Sequence, residues 1–394
     1  MRVFLVPVLF AVVVALTPAQ TSAGLRAVPV AGPFDFPWSA AWLPDGSMLV
    51  TERGGELNLV KDGRSVLVAG VPRVAAGGQG GLFDVLVLPQ TGEKQDLVLS
   101  YAWEQAGRSL RVARASLVGD ASGWRLEGLK VLFDMLPRSG TSHHFGGRLA
   151  LLPDGTLLIS TGERGDGNRA QNPADAAGKI HRIHLDGSVP TDNPFIGKAG
   201  FLPTIWSWGH RNIQGLWVDG ANGDVWATEH GPQGGDEVNL VRPGRNYGWP
   251  VITYGANYGT GTKIGEGSAK AGMEQPVLYW KPSIAPSGLT RYEGDRYPGW
   301  KGSFFSGALA GEGLSRFRLA APGTPTISRP ARAMVPASGG PGGVGGRTIP
   351  ARRSGGAYPR RPHRPRRLAL HSHRRQEGLG LPVGAPVIRR EPCR

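Results

Sequence analysis

The sequence predicts an all-β protein, because short apolar strands separated by turns rich in glycine and proline repeat along the chain, while long helical periodicity is absent. One copy of the repeat spans residues 43–52 around an Asp45-Gly46 turn, a second spans residues 152–163, and a looser copy spans residues 216–229. Each copy is a strand, a tight turn and an apolar strand followed by an acidic residue. Such repeats favour a β-propeller over a β-sandwich or jelly roll, the alternative folds.

Residues 1–23 are predicted to be a signal peptide. Arg2 precedes an apolar run from Val3 to Leu16, and small residues follow before Gly24. The run is short for a transmembrane helix, although a retained N-terminal anchor is the alternative interpretation. Export implies an oxidising compartment, yet the only cysteine is Cys393, so the fold must rest on its apolar core without disulfides.

The net charge of +15 is concentrated at one end of the chain. Residues 331–394 hold 14 Arg, no Lys and two acidic residues, a net charge of +12, whereas the rest of the chain is nearly neutral. Basic residues in that body are scattered and do not alternate with aromatic residues. The sequence therefore argues against nucleic-acid binding.

This C-terminal segment contains none of the 11 Trp, and its Arg- and Pro-rich stretch at residues 360–367 cannot form a packed strand. It is either a disordered basic tail or an out-of-frame reading of the gene. Allowed codons for residues 357–376, read one base out of frame, can give HIRDVRTDPDGSLYILTDA, which again reads strand, Pro-Asp-Gly turn, strand. We therefore predict a propeller domain over residues 24–330 with about five blades. The complete fold would be six-bladed, with its last blade missing or disordered in the chain as written.

In a propeller, residues just after the innermost strands converge on the channel mouth, which predicts that Glu163, Glu229 and His230 lie near a shared site. His143 and His144 enter a predicted strand, where adjacent side chains face opposite ways, so only one should face the channel. Histidine can take a proton near neutral pH, although a histidine that caps the strand entrance is an equal alternative.

Two further segments carry candidate binding residues. Arg211 and Asn212 lie in a polar run between two strands and suit a planar, oxygen-rich ligand, although a hydrogen-bonded corner between blades is the competing interpretation. A glycine-rich turn at residues 77–81 is expected to aim Gln79. It precedes no helix pattern, so it does not indicate a phosphate-binding loop.

The acidic, glycine-rich loop at residues 229–237 precedes Asn246-Tyr247-Gly248-Trp249-Pro250. Oxygen ligands in such a loop suit calcium, although acidic glycine-rich turns are common and the signal alone is weak. The sequence contains no Gly-x-Ser-x-Gly elbow, no His-Glu-x-x-His motif, no dinucleotide fingerprint after a strand and no haem-attachment motif.

Taken in order, these motifs resemble the soluble aldose sugar dehydrogenases of the glucose/sorbosone dehydrogenase family, which depend on pyrroloquinoline quinone (PQQ). The resemblance runs from about residue 32 to about residue 319. Its most specific pieces are His144-Phe145-Gly146-Gly147-Arg148-Leu149, Asp192-Asn193-Pro194-Phe195, Gly209-His210-Arg211-Asn212, Glu229-His230-Gly231-Pro232 and the Asn246–Pro250 string.

The resemblance implies a six-bladed propeller and assigns roles by position. His144 would be the general base, Glu163 would orient it, and Arg211 would stabilise charge on the quinone. The implied cofactor contacts are Gln79, Arg211, Asn212 and Tyr258. The carbonyls of Gly231 and Pro232 would hold the calcium ion, and Glu237 and Tyr247 match a further calcium site. The family's last cofactor-binding segment contains Arg-Asp-Val-Arg, which appears here only in the shifted frame.

The implied function is that of a periplasmic or secreted oxidoreductase that converts the C1 hydroxyl of aldose sugars to lactones. Hydride would pass to calcium-bound PQQ, and an external cytochrome or quinone would reoxidise the cofactor. No nucleic-acid partner and no stable membrane insertion are expected. The alternatives are a calcium-dependent sugar lactonase, a non-catalytic carbohydrate-binding propeller, and an inactive product that lacks its closing blade.

Overall fold

The computed structural model describes residues 28–90, 92–310 and 313–319, and the backbone of residues 326–328. The predicted signal peptide, the alternative anchor and the segment 331–394 lie outside these residues. Within the described ranges, no helix is long and apolar enough to cross a membrane. The single described helix, α1 (Gly167–Gln171), is one short turn between strands.

The strands form five consecutive groups. The first contains β1 (Pro37–Trp42), β2 (Met48–Glu52), β3 (Leu57–Lys61) and β4 (Arg64–Ala69). The second contains β5 (Leu82–Val87), β6 (Gln95–Glu104), β7 (Arg108–Asp120) and β8 (Gly123–Asp134). The third contains β9 (Gly146–Leu151), β10 (Leu157–Thr161), β11 (Lys179–Ile183) and β12 (Ile205–Trp208). The fourth contains β13 (Ile213–Val218), β14 (Val225–Glu229), β15 (Asp236–Val241) and β16 (Leu278–Trp280). The fifth contains β17 (Pro286–Arg291), β18 (Phe304–Ala308) and β19 (Gly313–Phe317), and β20 (Thr326–Ser328) follows.

Within each group, strands that follow one another in the chain pair antiparallel. Two further pairings are parallel. In the first, the last strands of the first two groups, β4 and β8, pair with each other. The last strand of the fourth group, β16, pairs in the same way with β20. The position of β20 is therefore the one that the fourth strand of the fifth group would occupy.

The first strands of the groups pack on one another in chain order, β1 on β5, β5 on β9, β9 on β13 and β13 on β17. Radial packing of successive four-stranded sheets is typical of a β-propeller and not of a two-sheet sandwich. In the part of the chain that the structure describes, no extensive packing joins β17 back to β1. The predicted sixth blade lies outside this part and stays a prediction.

The Asp-Gly turns of the repeat have the predicted conformation. Asp45 accepts a hydrogen bond from the backbone N–H two residues later at 3.0 Å, and Asp154 does the same at 2.9 Å. The glycine of each turn has a positive φ, 82° at Gly46 and 79° at Gly155, which a residue with a Cβ adopts only with strain. The apolar core lies between successive groups, since its clusters combine side chains from neighbouring sheets.

Arg148 on β9 contacts most of the first strands. Its Nε donates to the Gln214 carbonyl on β13 at 2.7 Å, and its guanidinium carbon lies 4.0 Å from the centroid of the Trp38 ring on β1. Its Nη1 lies 3.5 Å from Asp84 on β5, and a Cβ at Gly288 on β17 would lie 3.7 Å from its Nη2. Burial lowers the pKa of Arg148, and the Asp84 carboxylate opposes this effect. This side chain fixes the spacing of the first strands.

Candidate functional site

His144 lies just before β9 and not within a strand. Its φ of 53° is left-handed, and its backbone N–H donates to Gln79 Oε1 at 2.8 Å. The prediction from strand alternation was therefore wrong for this pair, because neither His143 nor His144 belongs to a strand. Their rings meet edge to face at 5.6 Å, with His143 exposed and His144 half-buried.

Glu163 holds the imidazole of His144. The Nδ1 atom lies 2.6 Å from Glu163 Oε2, which also accepts from the Gly165 N–H at 2.9 Å. Burial lowers the pKa of His144, while the hydrogen bond and charge of Glu163 oppose that effect. The lowered pKa favours the neutral ring at neutral pH. No hydrogen bond among the described residues engages its Nε2, which leaves that atom free to accept a proton.

The residue between the end of β10 and Glu163 is a glycine for a steric reason. A Cβ at Gly162 would overlap the carbonyl of His144 and lie 2.9 Å from Asn212 Oδ1. Glycine at this position lets the segment that carries Glu163 approach the segment that carries His144. The short distance between Glu163 and His144 depends on this close approach.

Gln79 lies on the glycine-rich turn, as predicted. Its own N–H donates to the Ser142 carbonyl at 2.8 Å, and its side-chain oxygen receives the His144 N–H. These bonds fix the turn to the segment that carries His144. Its side-chain Nε2 makes no hydrogen bond with the described residues, so a donor remains for a ligand.

Arg211 and Asn212 lie between β12 and β13 and contact the site from the next group of strands. Asn212 Oδ1 accepts from the Gly146 N–H at 3.1 Å, so this residue does make the corner between blades. Arg211 donates through Nη1 to the His230 carbonyl at 3.1 Å. Its Nε is buried without a hydrogen-bond partner, and its guanidinium carbon lies 5.2 Å from the Trp249 ring centroid. An unpartnered buried donor suits a ligand with oxygen acceptors.

Glu163, Glu229 and His230 converge, as predicted, but the strands that carry them differ from the expectation. Glu163 and His230 follow β10 and β14, and Glu229 is the last residue of β14. These are the second strands of their groups and not the innermost strands. The Glu163 N–H donates to the Arg211 carbonyl at 3.0 Å, and the Arg211 N–H donates to Glu229 Oε2 at 2.8 Å. In an antiparallel pair the end of a second strand lies beside the start of the first, which explains the convergence.

The loop with Gly231 and Pro232 is buried and closely packed. The Gly231 N–H donates to Asp236 Oδ1 at 2.9 Å, and the other oxygen of Asp236 accepts from the N–H groups of Ile284 and Ala285 at 2.8 and 2.9 Å. In the described ranges no hydrogen bond ends on the carbonyl of Gly231 or Pro232. Two buried residues with unpaired carbonyls fit a calcium ion, which binds oxygen ligands.

Glu237 and Tyr247, predicted to hold a further calcium ion, do not contact each other through their side chains. The Tyr247 hydroxyl donates to the Leu240 carbonyl at 2.7 Å and accepts the Arg242 N–H at 2.8 Å. Burial, together with the charge of Glu229, raises the pKa of Glu237 well above its usual range. No group of three or more His, Cys, Asp or Glu side chains in the described residues is arranged around a metal position.

Tyr258, predicted to contact the cofactor, lies on an exposed loop with 67% of its surface accessible. It makes no hydrogen bond or ring contact with the cluster around His144 in the described structure.

Comparisons with known proteins decide the family. Residues 34–334 match the family model described as Glucose / Sorbosone dehydrogenase. The chain belongs to this family. It is 42% identical over 282 residues to the aldose sugar dehydrogenase YliI of Escherichia coli K12, which covers 70% of this chain and 75% of that protein.

Solved structures of aldose sugar dehydrogenases are similar to about three quarters of the chain. The apo form of the soluble aldose sugar dehydrogenase from Escherichia coli matches with a TM-score of 0.69 at 39% identity, over 73% of this chain and 84% of that one. The PQQ-bound form of an aldose sugar dehydrogenase from Streptomyces coelicolor matches with a TM-score of 0.61 at 31% identity, over 75% of this chain and 81% of that one.

Three residues in or beside the cluster around His144 and Arg211 were not predicted as site residues from the sequence. Trp249 lies beside Arg211, Asp236 braces the loop of Gly231, and Arg164 lies behind the segment that carries His144. Each belongs to or adjoins a motif that the sequence showed. Periodicity does not show which residues from other segments their side chains contact, so these three could not be predicted.

Proposed function

We propose that this protein oxidises the C1 hydroxyl of an aldose sugar to a lactone, with PQQ as the hydride acceptor and calcium beside it. The observation that carries the proposal is the His144–Glu163 pair with a free Nε2, in a site whose other side chains hold unused donors. Family membership and the PQQ-bound relative support the cofactor. PQQ, when bound, accepts the hydride that leaves C1.

His144 takes the proton of the anomeric hydroxyl. Because burial lowers the pKa of its imidazole, the ring is neutral at neutral pH and can act as a general base. The hydrogen bond from Nδ1 to Glu163 fixes the tautomer that leaves Nε2 as the acceptor, and the carboxylate stabilises the imidazolium that forms.

PQQ is a planar molecule with carboxylate and carbonyl oxygens. The residues that would hold it are Gln79, Arg211, Asn212 and Tyr258. The unpartnered Nε of Arg211 and the free Nε2 of Gln79 are the donors that such oxygens need. A fixed guanidinium also stabilises negative charge that develops during hydride transfer. The tyrosine supplies an aromatic surface from its exposed loop.

The carbonyls of Gly231 and Pro232 would bind calcium, and Glu237 and Tyr247 would contribute to a further calcium site. Because the Tyr247 hydroxyl is used by backbone groups, its contribution would come from the backbone. In this proposal, residues 1–23 direct export of the protein to the periplasm or outside the cell. An external cytochrome or quinone then reoxidises the cofactor.

The proposal requires a complete ring, so the frame of the 3′ end of the gene matters. We propose that residues 331–394 are out of frame and that the correct reading supplies the last blade with its Arg-Asp-Val-Arg string. Resequencing from the codon of Leu319 to the stop tests this point. An extra or missing base near residues 338–346 supports it, and an unaltered frame contradicts it.

The activity is tested by adding PQQ, calcium and aldoses to the purified chain and following reduction of an artificial dye, with the frame-corrected protein in parallel. We expect turnover that needs both additions. Hydrolysis of a sugar lactone without PQQ would instead indicate a lactonase. Sugar binding without turnover, unchanged by His144→Ala, would indicate a carbohydrate-binding propeller.

A further inference from the structure

Arg164 is a buried arginine next to the base that the proposed chemistry does not use. Only 1% of its surface is accessible, although it lies on the turn directly after Glu163. No carboxylate lies within ion-pair distance of it among the described residues. Burial lowers the pKa of its guanidinium to about 9. An arginine in such a position needs other partners to offset the loss of water.

Those partners all belong to the segment that carries His144. Nη2 of Arg164 donates to the Thr141 carbonyl at 2.6 Å, and Nη1 donates to the His143 carbonyl. The guanidinium carbon lies 3.4 Å from the centroid of the Phe145 ring. Thr141 completes the clamp, because its hydroxyl donates to the Arg164 carbonyl at 2.7 Å. Arg164 therefore holds residues on both sides of His144.

His144 needs this support because its backbone is in the left-handed region, with a φ of 53°. A residue with a Cβ stays in that conformation only where its surroundings determine it. Arg164 and Gln79 supply that constraint, Arg164 through the flanking residues and Gln79 through the His144 N–H. The turn of Glu163 and Arg164 thus reaches both the ring of His144 and its backbone.

We propose that Arg164 is a positioning residue for His144, which fixes the backbone of residues 141–145 so that the imidazole meets Glu163. The proposal deepens the proposed function, since it rests on His144 as the base. It assigns the guanidinium no contact with substrate or cofactor.

The first readout needs no cofactor. In histidine-labelled, PQQ-free protein, the Nδ1–H of His144 should give a low-field proton resonance, assigned by its loss in His144→Gln. In Arg164→Gln we expect this resonance to broaden or disappear, because the segment is released. The resonance of His210, bonded to Glu229, should remain. A retained His144 resonance in Arg164→Gln would overturn the proposal.

Turnover with PQQ gives the second readout. We expect kcat of Arg164→Gln to fall about 100-fold with KM little changed, since misplacement of a base affects the chemical step. Arg164→Lys should recover part of the loss, because an ammonium can still donate to one carbonyl. The matched control is Arg111→Gln, which removes another arginine that is held by hydrogen bonds and stacks on an aromatic ring, 4.3 Å from Trp103. Equal losses in the two variants would contradict a positioning role.

The resonance and the turnover assay distinguish failure of the proposed function from failure of the role of Arg164. If the wild-type protein oxidises no aldose, the proposed function fails, while the resonance still reports whether Arg164 holds the ring. If Arg164→Gln does not fold, Thr141→Val replaces it, because it removes one bond of the same clamp and should weaken the His144 resonance to a smaller extent. An unchanged resonance in Thr141→Val would then count against the proposal.

Discussion

A histidine bonded through Nδ1 to a glutamate directly precedes the third group of strands, and a second such histidine directly precedes the fourth. The two pairs differ in what the other ring nitrogen contacts. His144 lies 2.6 Å from Glu163 with 15% of its side chain accessible, and its Nε2 is free. His210 lies 3.1 Å from Glu229 and is fully buried, and its Nε2 lies 2.8 Å from Ser207 Oγ. The same residue types therefore form one pair with a free ring nitrogen and one pair with none, which are the reactive pair and the structural pair of the proposed function.

The two glutamates differ in the same way as the two histidines. Glu163 binds the base and the backbone of its own turn. Glu229 binds His210, the Arg211 N–H and the Asn239 side chain, so its carboxylate is saturated by the protein. The His210 ring also stacks on Tyr247 at 4.7 Å. A buried histidine with both nitrogens and one face engaged has no atom left for a substrate.

Replacement of the reactive histidine should give the largest effect. We expect His144→Gln to lower turnover about 1,000-fold, because a general base contributes roughly this much, while the thermal midpoint changes little. Steady-state dye reduction and a melting curve on the same sample measure both quantities. A variant that retains more than a tenth of the activity would show that another group takes the proton.

The structural histidine should give the opposite result. His210→Leu removes one of the two hydrogen bonds to Glu229 Oε1, leaves the Ser207 hydroxyl without its buried partner and removes the stack on Tyr247. We therefore expect the free energy of unfolding to fall by about 3 kcal/mol. Denaturant titration measures this loss. Normal stability with a large loss of turnover would show that the two pairs share a function.

Glu163→Gln tests the pH dependence of the reactive pair. In the wild type, activity should fall with decreasing pH as His144 becomes protonated, and this acid limb should lie below the usual range of histidine because burial lowers its pKa. Glu163 raises that pKa, so its removal should move the limb to lower pH and reduce maximal turnover about tenfold. A limb that moves to higher pH would contradict the assignment of the pair.

The smallest effect is expected for Ser207→Ala, which frees Nε2 of His210 without opening a path to solvent. Stability should fall by about 1 kcal/mol, the usual contribution of one hydrogen bond, and turnover should not change. Calorimetry and the dye assay on the same preparation measure the two responses. A fall in turnover larger than the fall in folded fraction would link His210 to the chemistry.

The sequence predicted the all-β repeat and the Asp-Gly turns, because both depend on local pattern. It predicted the convergence of Glu163, Glu229 and His230 from the arrangement of strands in a propeller. It did not predict that His144 leaves the strand for a left-handed conformation, since that conformation is imposed by Gln79 and Arg164 from other segments. The residue pattern also could not show that Nε2 is free in His144 and hydrogen-bonded in His210, because this difference depends on tertiary contacts. Ring closure was predicted from codons and lies outside the described residues.

Arg148 connects the spacing of the described sheets with the position of His144. This residue is the third of β9, and His144 lies two residues before that strand begins. Because its guanidinium reaches β1, β5 and β13, any change in the angular spacing of the sheets must displace β9 or break these contacts. Because His144 lies two residues before β9, a displacement of this strand would also move its imidazole away from Glu163.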